Sequence, residues 1–251
     1  MRLYGLDYFY GAVEQDEGQY GSEALRILQG ERPNLFGPVP LFNLTAIFTY
    51  LMAGSMRLLG EDIVGLRIVP ALMGSLSLVF VYLLVRQGWG APTALVATGL
   101  VAVAPHHLFS SRIAIRDMVV LLLFIPAVLY FLYRAMLWRR PFDYALAGVG
   151  LGLGLWLDYN NKAMILLPIV GVVFVYWFVT QKGWRCEYLK IGLFCLGVVV
   201  VLLPVWVTVV GMDAVRPGGG FLRGRLGVEA ANLAVAQGGE GVFDRFQVVL
   251  D

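Results

Sequence analysis

Long apolar segments constrain the fold of this chain more than any other feature. A helix that crosses the hydrocarbon core of a bilayer needs about 20 mostly apolar residues, and six segments come close to that length. They cover roughly 67–86, 91–109, 118–136, 142–157, 163–180 and 189–211. Charged residues make up only 14% of the chain, against about 25% in soluble domains. The sequence therefore predicts an all-α fold, a polytopic transmembrane helical bundle.

The cations between these segments indicate how the bundle is oriented. Alternate connections carry seven and three cations, and cytoplasmic loops are the ones enriched in lysine and arginine. The richer set, predicted to be cytoplasmic, is Arg86, Arg134, Arg139, Arg140, Lys182, Arg185 and Lys190; the other is Arg112, Arg116 and Lys162. We therefore divide the chain into an extracytoplasmic first loop (1–60), a transmembrane bundle (61–211) and a further, truncated extracytoplasmic loop (212–251).

The first loop contains an amphipathic helix, predicted over 16–30. Asp16 and Gln19 have a spacing like that of a capping box, and Tyr20 and Ala24 begin one apolar face. Gly30 is a typical residue for ending a helix. A helix of this kind, next to an apolar segment, suits the plane of the membrane interface.

The uncharged segment 39–56 has two interpretations, which place Asp16 on different sides of the membrane. If the segment crosses the bilayer, Asp16 is cytoplasmic. If it lies along the interface, or dips in and returns, Asp16 is outside with Asp117 and Lys162. Hydropathy alone does not separate the two, but the chemistry of the outer charges favours the interfacial interpretation.

Acidic and basic residues predicted on the outer side are suited to group transfer from a lipid phosphate. Arg112, Arg116 and Lys162 can hold a phosphate or pyrophosphate at headgroup depth. A free carboxylate, that of Asp16 or its neighbour Glu17, can take a proton from a hydroxyl. A sugar on a lipid phosphate has a good leaving group once cations stabilise the departing charge. This chemistry requires no nucleotide, and the sequence carries no nucleotide-binding motif.

Three further residues belong to the candidate site. Asp117 can orient the acceptor or the donor. His106 and His107, at the outer end of a predicted span, are secondary candidates for binding a divalent metal, although such a pair more often caps a helix at the interface. We predict no certain cofactor, with a divalent metal as an open alternative.

A run of residues beginning at the acidic pair resembles a known family. The pattern Asp16-Glu17-x-x-Tyr20-x-x-x-Ala24-x-Arg26-x-x-x-Gly30 is similar to the first outer loop of the GT-C glycosyltransferases. Within that group it resembles the protein O-mannosyltransferases and the lipid A aminoarabinose transferases. The resemblance covers roughly 14–180 and implies that the first loop carries interfacial helices.

The resemblance also implies roles for individual residues. Asp16 resembles the catalytic base, Asp117 resembles the acidic residue of the second loop, and Arg112 and Lys162 match positions facing the donor phosphate. One departure is the segment Gly37-Pro38-Val39-Pro40, which stands where the aminoarabinose branch has a Lys-Pro-Pro element. A first span and a C-terminal portion are also missing relative to the family, so we expect the chain to be part of a longer protein.

The leading hypothesis is an inverting hexosyl- or pentosyltransferase. Its expected partners are a polyprenyl-phosphate-linked sugar donor, a lipid, glycan or protein acceptor, and membrane lipids. Nucleic acid is not expected, because the chain has no basic run. We expect an integral protein of the bacterial inner membrane with its active site outside.

The alternative hypothesis is a transporter or flippase component for an anionic lipid or a lipid-linked sugar. Charges in the middle of spans would favour transport. None of the six apolar segments carries a charge at its middle, which favours the enzyme.

Overall fold

The computed structural model describes residues 6, 15–36, 46–157, 166–180 and 188–215, and the part of the chain that it describes is helical without any strand. The predicted all-α fold is therefore confirmed. The helices are α1 (Gln15–Leu28), α2 (Ile47–Leu59), α3 (Ile63–Val103), α4 (Pro105–Ser110), α5 (Arg116–Trp138), α6 (Pro141–Leu157), α7 (Leu166–Thr180) and α8 (Tyr188–Val215).

Helix α1 forms where the sequence predicts it, with one difference at its start. It begins at Gln15, so Asp16 lies inside the first turn and is not the N-cap that its spacing predicts. A carboxylate in the first turn still interacts favourably with the helix dipole. At the other end Gly30 has φ 108°, and the Glu31 N–H donates to the Arg26 carbonyl at 3.0 Å. Glycine suits this position because it has no Cβ to clash in the left-handed region.

Helix α2 is short for a spanning helix. Its 13 residues rise about 20 Å, whereas the hydrocarbon core is about 30 Å thick. Its buried face carries Phe48, Met52 and Met56, and the Phe48 ring meets the Tyr20 ring of α1 edge to face, with centroids 5.8 Å apart. Helix α2 thus packs beneath α1 within the hydrophobic core.

Helix α3 is a hairpin that reverses direction at Gly90. Gly90 has φ 83° and ψ 172°, a combination that is almost confined to glycine. Ser77 and His107 are 30 residues apart, yet their side chains approach to 2.9 Å; along a straight helix they would be about 45 Å apart. The two arms of α3, the second continued by α4, therefore correspond to the predicted spans 67–86 and 91–109.

Helix α5 runs beside the first arm of α3 in the same direction. Near its start, a Cβ on Gly74 would lie 2.3 Å from the Ser111 Cβ. Further along, the Phe80 ring contacts the Tyr130 ring at 6.0 Å. Next to the reversal, a Cβ on Gly88 would lie 3.5 Å from the Tyr133 hydroxyl.

The glycines of α6 are packing residues, and their small-xxx-small spacing is typical of close helix contacts in membranes. A Cβ on Gly150 or Gly154 would lie 3.2 Å from Val128 or Phe124 of the antiparallel helix α5. A Cβ on Gly148 would lie 2.0 Å from the Phe194 carbonyl oxygen of α8. The absence of side chains at these positions lets α6 contact both helices closely.

Three helices of the described part are long and apolar enough to cross a bilayer: Ile63–Val103, Val119–Trp138 and Leu189–Thr208. The chain divides into two units, 1–205 and 206–251. The first contains the helices up to Val205. Of the second, the described part is the final turns of α8.

Candidate active site

A buried ion pair connects the acidic helix α1 to the start of α3. The Glu17 carboxylate accepts from Nε of Arg67 at 2.7 Å and from Nη2 at 2.6 Å. Both residues are at most 2% exposed. Such a bidentate pair of parallel hydrogen bonds fixes the relative orientation of the two side chains.

The same pair also binds two further parts of the chain. The Arg67 Nη1 donates to the carbonyl of Leu6 at 2.6 Å, and the backbone N–H of Ala114 donates to Glu17 Oε1 at 3.0 Å. The segment between α4 and α5 is thereby held against the first turn of α1. The Glu17 carboxylate thus connects α1 both to α3 and to the segment before α5.

The neighbouring carboxylate, Asp16, is exposed. Consecutive residues of an α-helix point about 100° apart, so the burial of Glu17 turns Asp16 away from the core. Of the adjacent pair, Glu17 is engaged by Arg67 and Ala114, and Asp16 is accessible. The accessible carboxylate is the one suited to accept a proton from a bound molecule.

Arg112 adds a second guanidinium group to this end. It is partly buried, and its pKa is lowered first by that burial and then by the positive charge of Arg67. Arginine nevertheless stays charged at neutral pH. Arg67 is already paired with Glu17, and guanidinium groups such as that of Arg112 bind phosphate well.

The segment that carries Arg112 is firmly packed. Ser111, Ile113, Ala114 and Ile115 are all buried, and Ser111 lies directly against Gly74 of α3. Arg112 is the partly exposed exception within this stretch. Its backbone is therefore placed by the core.

The remaining predicted site residues lie at or beyond the limits of the description. The backbone of Arg116 and Asp117 forms the first turn of α5, directly after the segment that contacts Glu17; their side chains are outside the described part of the chain. Lys162 lies within 158–165, which is also outside the described residues.

The segment that follows α1 contacts the C-terminal end of α6. The Phe36 ring stacks on the Trp156 ring, with centroids 5.0 Å apart and planes 16° apart. The Tyr50 hydroxyl donates to the Pro33 carbonyl at 2.8 Å. The first loop therefore reaches the end of α6 from which the chain continues towards Lys162.

The two histidine side chains lie in different surroundings. His107 is buried, and its Nε2 lies 2.9 Å from the Ser77 hydroxyl, whereas His106 is exposed. Among the residues that the structure describes, no group of three metal-binding side chains occurs. His107 thus packs between α4 and α3. His106 and His107 therefore do not face a common position at which they could bind one metal ion.

Arg67 is the residue of this end that sequence reasoning missed. From the sequence, Arg67 is only the boundary of an apolar segment, a position at which arginine commonly reaches the membrane interface. A signal was available, because Arg67 is a lone cation followed by a long uncharged stretch. Its partner, 50 positions earlier, could not be identified from spacing.

These features define an integral membrane protein with an exposed carboxylate and guanidinium groups gathered at one end of its helices. The family model for dolichyl-phosphate-mannose-protein mannosyltransferase matches residues 45–210, more than half of the chain. The chain belongs to this family, and is therefore a glycosyltransferase of the GT-C type that uses a lipid-linked sugar donor. This confirms the predicted resemblance and favours the enzyme over the transporter alternative.

Comparisons with curated proteins and with solved structures gave no match. The family match begins at Thr45, so it does not include α1. The roles of Asp16 and Glu17 rest on the structure of that helix and on its contacts.

Proposed function

We propose that the protein transfers a sugar from a polyprenyl-phosphate-linked donor to an acceptor hydroxyl or amine at the outer face of the membrane, with Asp16 as the base. The observation that carries the proposal is the exposure of Asp16 beside the buried Glu17–Arg67 pair and the partly buried Arg112. Asp16, the proton acceptor in our proposal, and Arg112, its phosphate-binding cation, thus belong to adjoining segments. Inverting transfer needs both groups.

The reaction is a single displacement. Asp16 takes the proton from the acceptor as the acceptor oxygen or nitrogen forms a bond to the anomeric carbon of the sugar. The bond between that carbon and the phosphate oxygen breaks, and its electron pair leaves with the polyprenyl phosphate. Attack opposite the leaving group inverts the configuration at the anomeric carbon.

Cations stabilise the charge that develops on the departing phosphate. Arg112 has this role in our proposal, with Arg116 and Lys162 contributing from the start of α5 and from the connection after α6. Asp117 orients the acceptor or the donor. The pKa of Arg112 is lowered first by burial and then by the charge of Arg67, and a bound phosphate would offset both effects.

Glu17 acts as a positioning residue in this proposal. Its carboxylate already accepts hydrogen bonds from Arg67 and from the Ala114 N–H, so it is poorly placed to accept a proton from substrate. It holds the first turn of α1 beside the segment that carries Arg112. The distance between base and phosphate site then depends on Glu17.

Two observations support an outer location. The connection that carries Arg112 belongs to the set poorer in cations, and the positive-inside rule assigns that set to the outside. Helix α2, with 13 residues, is shorter than a spanning helix, which favours the interfacial interpretation of the segment before α3. Together they support our proposal that Asp16 and Arg112 lie on the same, outer side.

The test is the turnover of radiolabelled polyprenyl-phosphate mannose by membranes from cells that produce the protein, followed as release of polyprenyl phosphate. We expect Asp16→Asn to lower the rate by about 100-fold or more, because a positioned base contributes that much, with little change in donor KM. Glu31→Gln, an exposed carboxylate just beyond α1, is the matched control and should keep the wild-type rate. Full activity in Asp16→Asn would contradict the proposal.

A further inference from the structure

Helix α4 and the segment after it follow one side of the first arm of α3, where Arg67, Gly74 and Ser77 are all buried. Gly74 comes seven positions after Arg67, and Ser77 a further three, spacings that keep the three residues on one side of an α-helix. At the level of Ser77 the neighbour is His107, and at the level of Gly74 it is Ser111. The chain that follows His107 therefore runs along α3 in the antiparallel direction, towards Arg67.

A buried hydrogen bond joins α4 to α3 at His107. The Ser77 hydroxyl donates to the Gly74 carbonyl at 2.8 Å, and the His107 Nε2 lies 2.9 Å from the Ser77 Oγ. A hydroxyl has a single hydrogen to donate, and a carbonyl oxygen only accepts. Both contacts are therefore satisfied when His107 donates from Nε2 to Ser77. Both side chains are buried, so water does not compete for this bond.

His107 is connected to Arg112 by a short turn with its own hydrogen bonds. The Ser111 N–H donates to the His107 carbonyl at 3.1 Å, and the Arg112 N–H donates to the Phe109 carbonyl at 2.9 Å. The Ser111 hydroxyl donates to the Leu108 carbonyl at 2.9 Å. The backbone of Arg112 thus continues from α4, and a displacement of α4 on α3 would displace it as well.

Arg112 lies between two anchors that connect its segment to the rest of the helices. On its C-terminal side, the Ala114 N–H donates to Glu17 at 3.0 Å. On its N-terminal side, His107 is bonded to Ser77 of α3. Both anchors lie within five positions of Arg112, so together they define the position of its backbone.

We propose that His107 is a positioning residue for Arg112, acting through its hydrogen bond to Ser77. The inference rests on the proposed function, in which Arg112 binds the donor phosphate. Without the hydrogen bond, α4 can shift on α3, and the guanidinium has to be ordered when the donor binds. Ordering a side chain upon binding costs free energy. The affinity for phosphate then falls although no group that contacts it has been removed.

Binding of polyprenyl phosphate to the purified full chain tests this proposal. The apparent Kd follows from the rise in unfolding temperature over a series of ligand concentrations, with each variant compared with itself without ligand. We expect Ser77→Ala to raise this Kd about two- to tenfold, the range for a neutral hydrogen bond. Ser75→Ala is the matched control, because the Ser75 hydroxyl donates to the Ala71 carbonyl within α3. It should bind like the wild type.

Substitutions of His107 separate the hydrogen bond from the packing of the ring. His107→Gln retains an N–H donor near the position of Nε2 and should bind like the wild type. His107→Leu has no donor and should match Ser77→Ala. Equal weakening by His107→Gln and His107→Leu would overturn the role of the hydrogen bond.

A double-mutant cycle shows whether the effect passes through Arg112. In Arg112→Gln, which lacks the guanidinium, adding Ser77→Ala should cause no further loss of affinity. An equal further loss would overturn the proposal, as would a wild-type Kd in Ser77→Ala or an equal loss in Ser75→Ala. A wild-type Kd for Arg112→Gln alone would instead refute the phosphate role of Arg112, and with it the proposed function.

Discussion

Glu17 and Arg67, 50 positions apart in the chain, form a buried bidentate ion pair that joins the amphipathic helix α1 to the first apolar hairpin. The Glu17 carboxylate also accepts a hydrogen bond from the Ala114 N–H, and the Arg67 guanidinium donates one to the Leu6 carbonyl. Four separate segments are held by two side chains. The position of the exposed Asp16 is therefore set by residues that do not contact substrate in our proposal.

Glu17→Gln should reduce stability strongly. Removing one partner of a buried ion pair leaves the other charge uncompensated, at a cost of about 3–5 kcal/mol. Thermal unfolding of the detergent-solubilised protein, followed by tryptophan fluorescence, measures this. Glu31→Gln should unfold like the wild type, and Glu17→Gln combined with Arg67→Gln should recover part of the loss. A wild-type unfolding temperature for Glu17→Gln alone would contradict this view of the pair.

Gly197→Ala should weaken the contact between α6 and α8. An added Cβ would lie 2.6 Å from the Ala145 carbonyl oxygen and 2.9 Å from the Val149 nitrogen, so the backbones would have to separate. Overpacking of this kind costs about 1–3 kcal/mol. Gly192→Ala, on the same helix, has no atom within 4 Å of its added Cβ and should leave the unfolding temperature unchanged or slightly raised. Equal effects of the two substitutions would argue against close glycine packing.

Arg112→Gln should weaken binding of the donor phosphate. Hydrogen bonds to charged groups contribute about 1.5–3 kcal/mol, which corresponds to roughly 10- to 150-fold in affinity. The increase in unfolding temperature on adding polyprenyl phosphate measures the binding, since a ligand stabilises the state that it binds. Arg26→Gln, an exposed cation of α1, should respond like the wild type. An undiminished response in Arg112→Gln would remove Arg112 from the phosphate site.

Local patterns in the sequence were sufficient to predict most of the helices. Hydropathy separated the two arms of α3, because Arg86 and the Gly88-Trp89-Gly90 turn interrupt the apolar run. The start and the glycine end of α1 were predicted to within about two residues.

Long-range pairing could not be predicted in this way. Arg67 and Arg134 were both interpreted from their neighbours alone, as a boundary residue and a loop cation. The structure instead pairs them with Glu17 and with the buried Asp143. Which carboxylate of the Asp16–Glu17 pair is buried likewise depends on how α1 packs against α3 and the segment before α5. Such partners are set by the tertiary fold, and no spacing rule relates them.

The central claim is that α1 and the connection between α4 and α5 form one site on the outer face. Single cysteines replacing the exposed residues Ser22, His106 and Arg140, in a protein without Cys186 and Cys195, can be labelled with an impermeant maleimide in intact cells. We predict equal labelling of Ser22→Cys and His106→Cys from outside, and labelling of Arg140→Cys only after permeabilisation. Labelling of Ser22→Cys only after permeabilisation would place Asp16 in the cytoplasm and contradict the account.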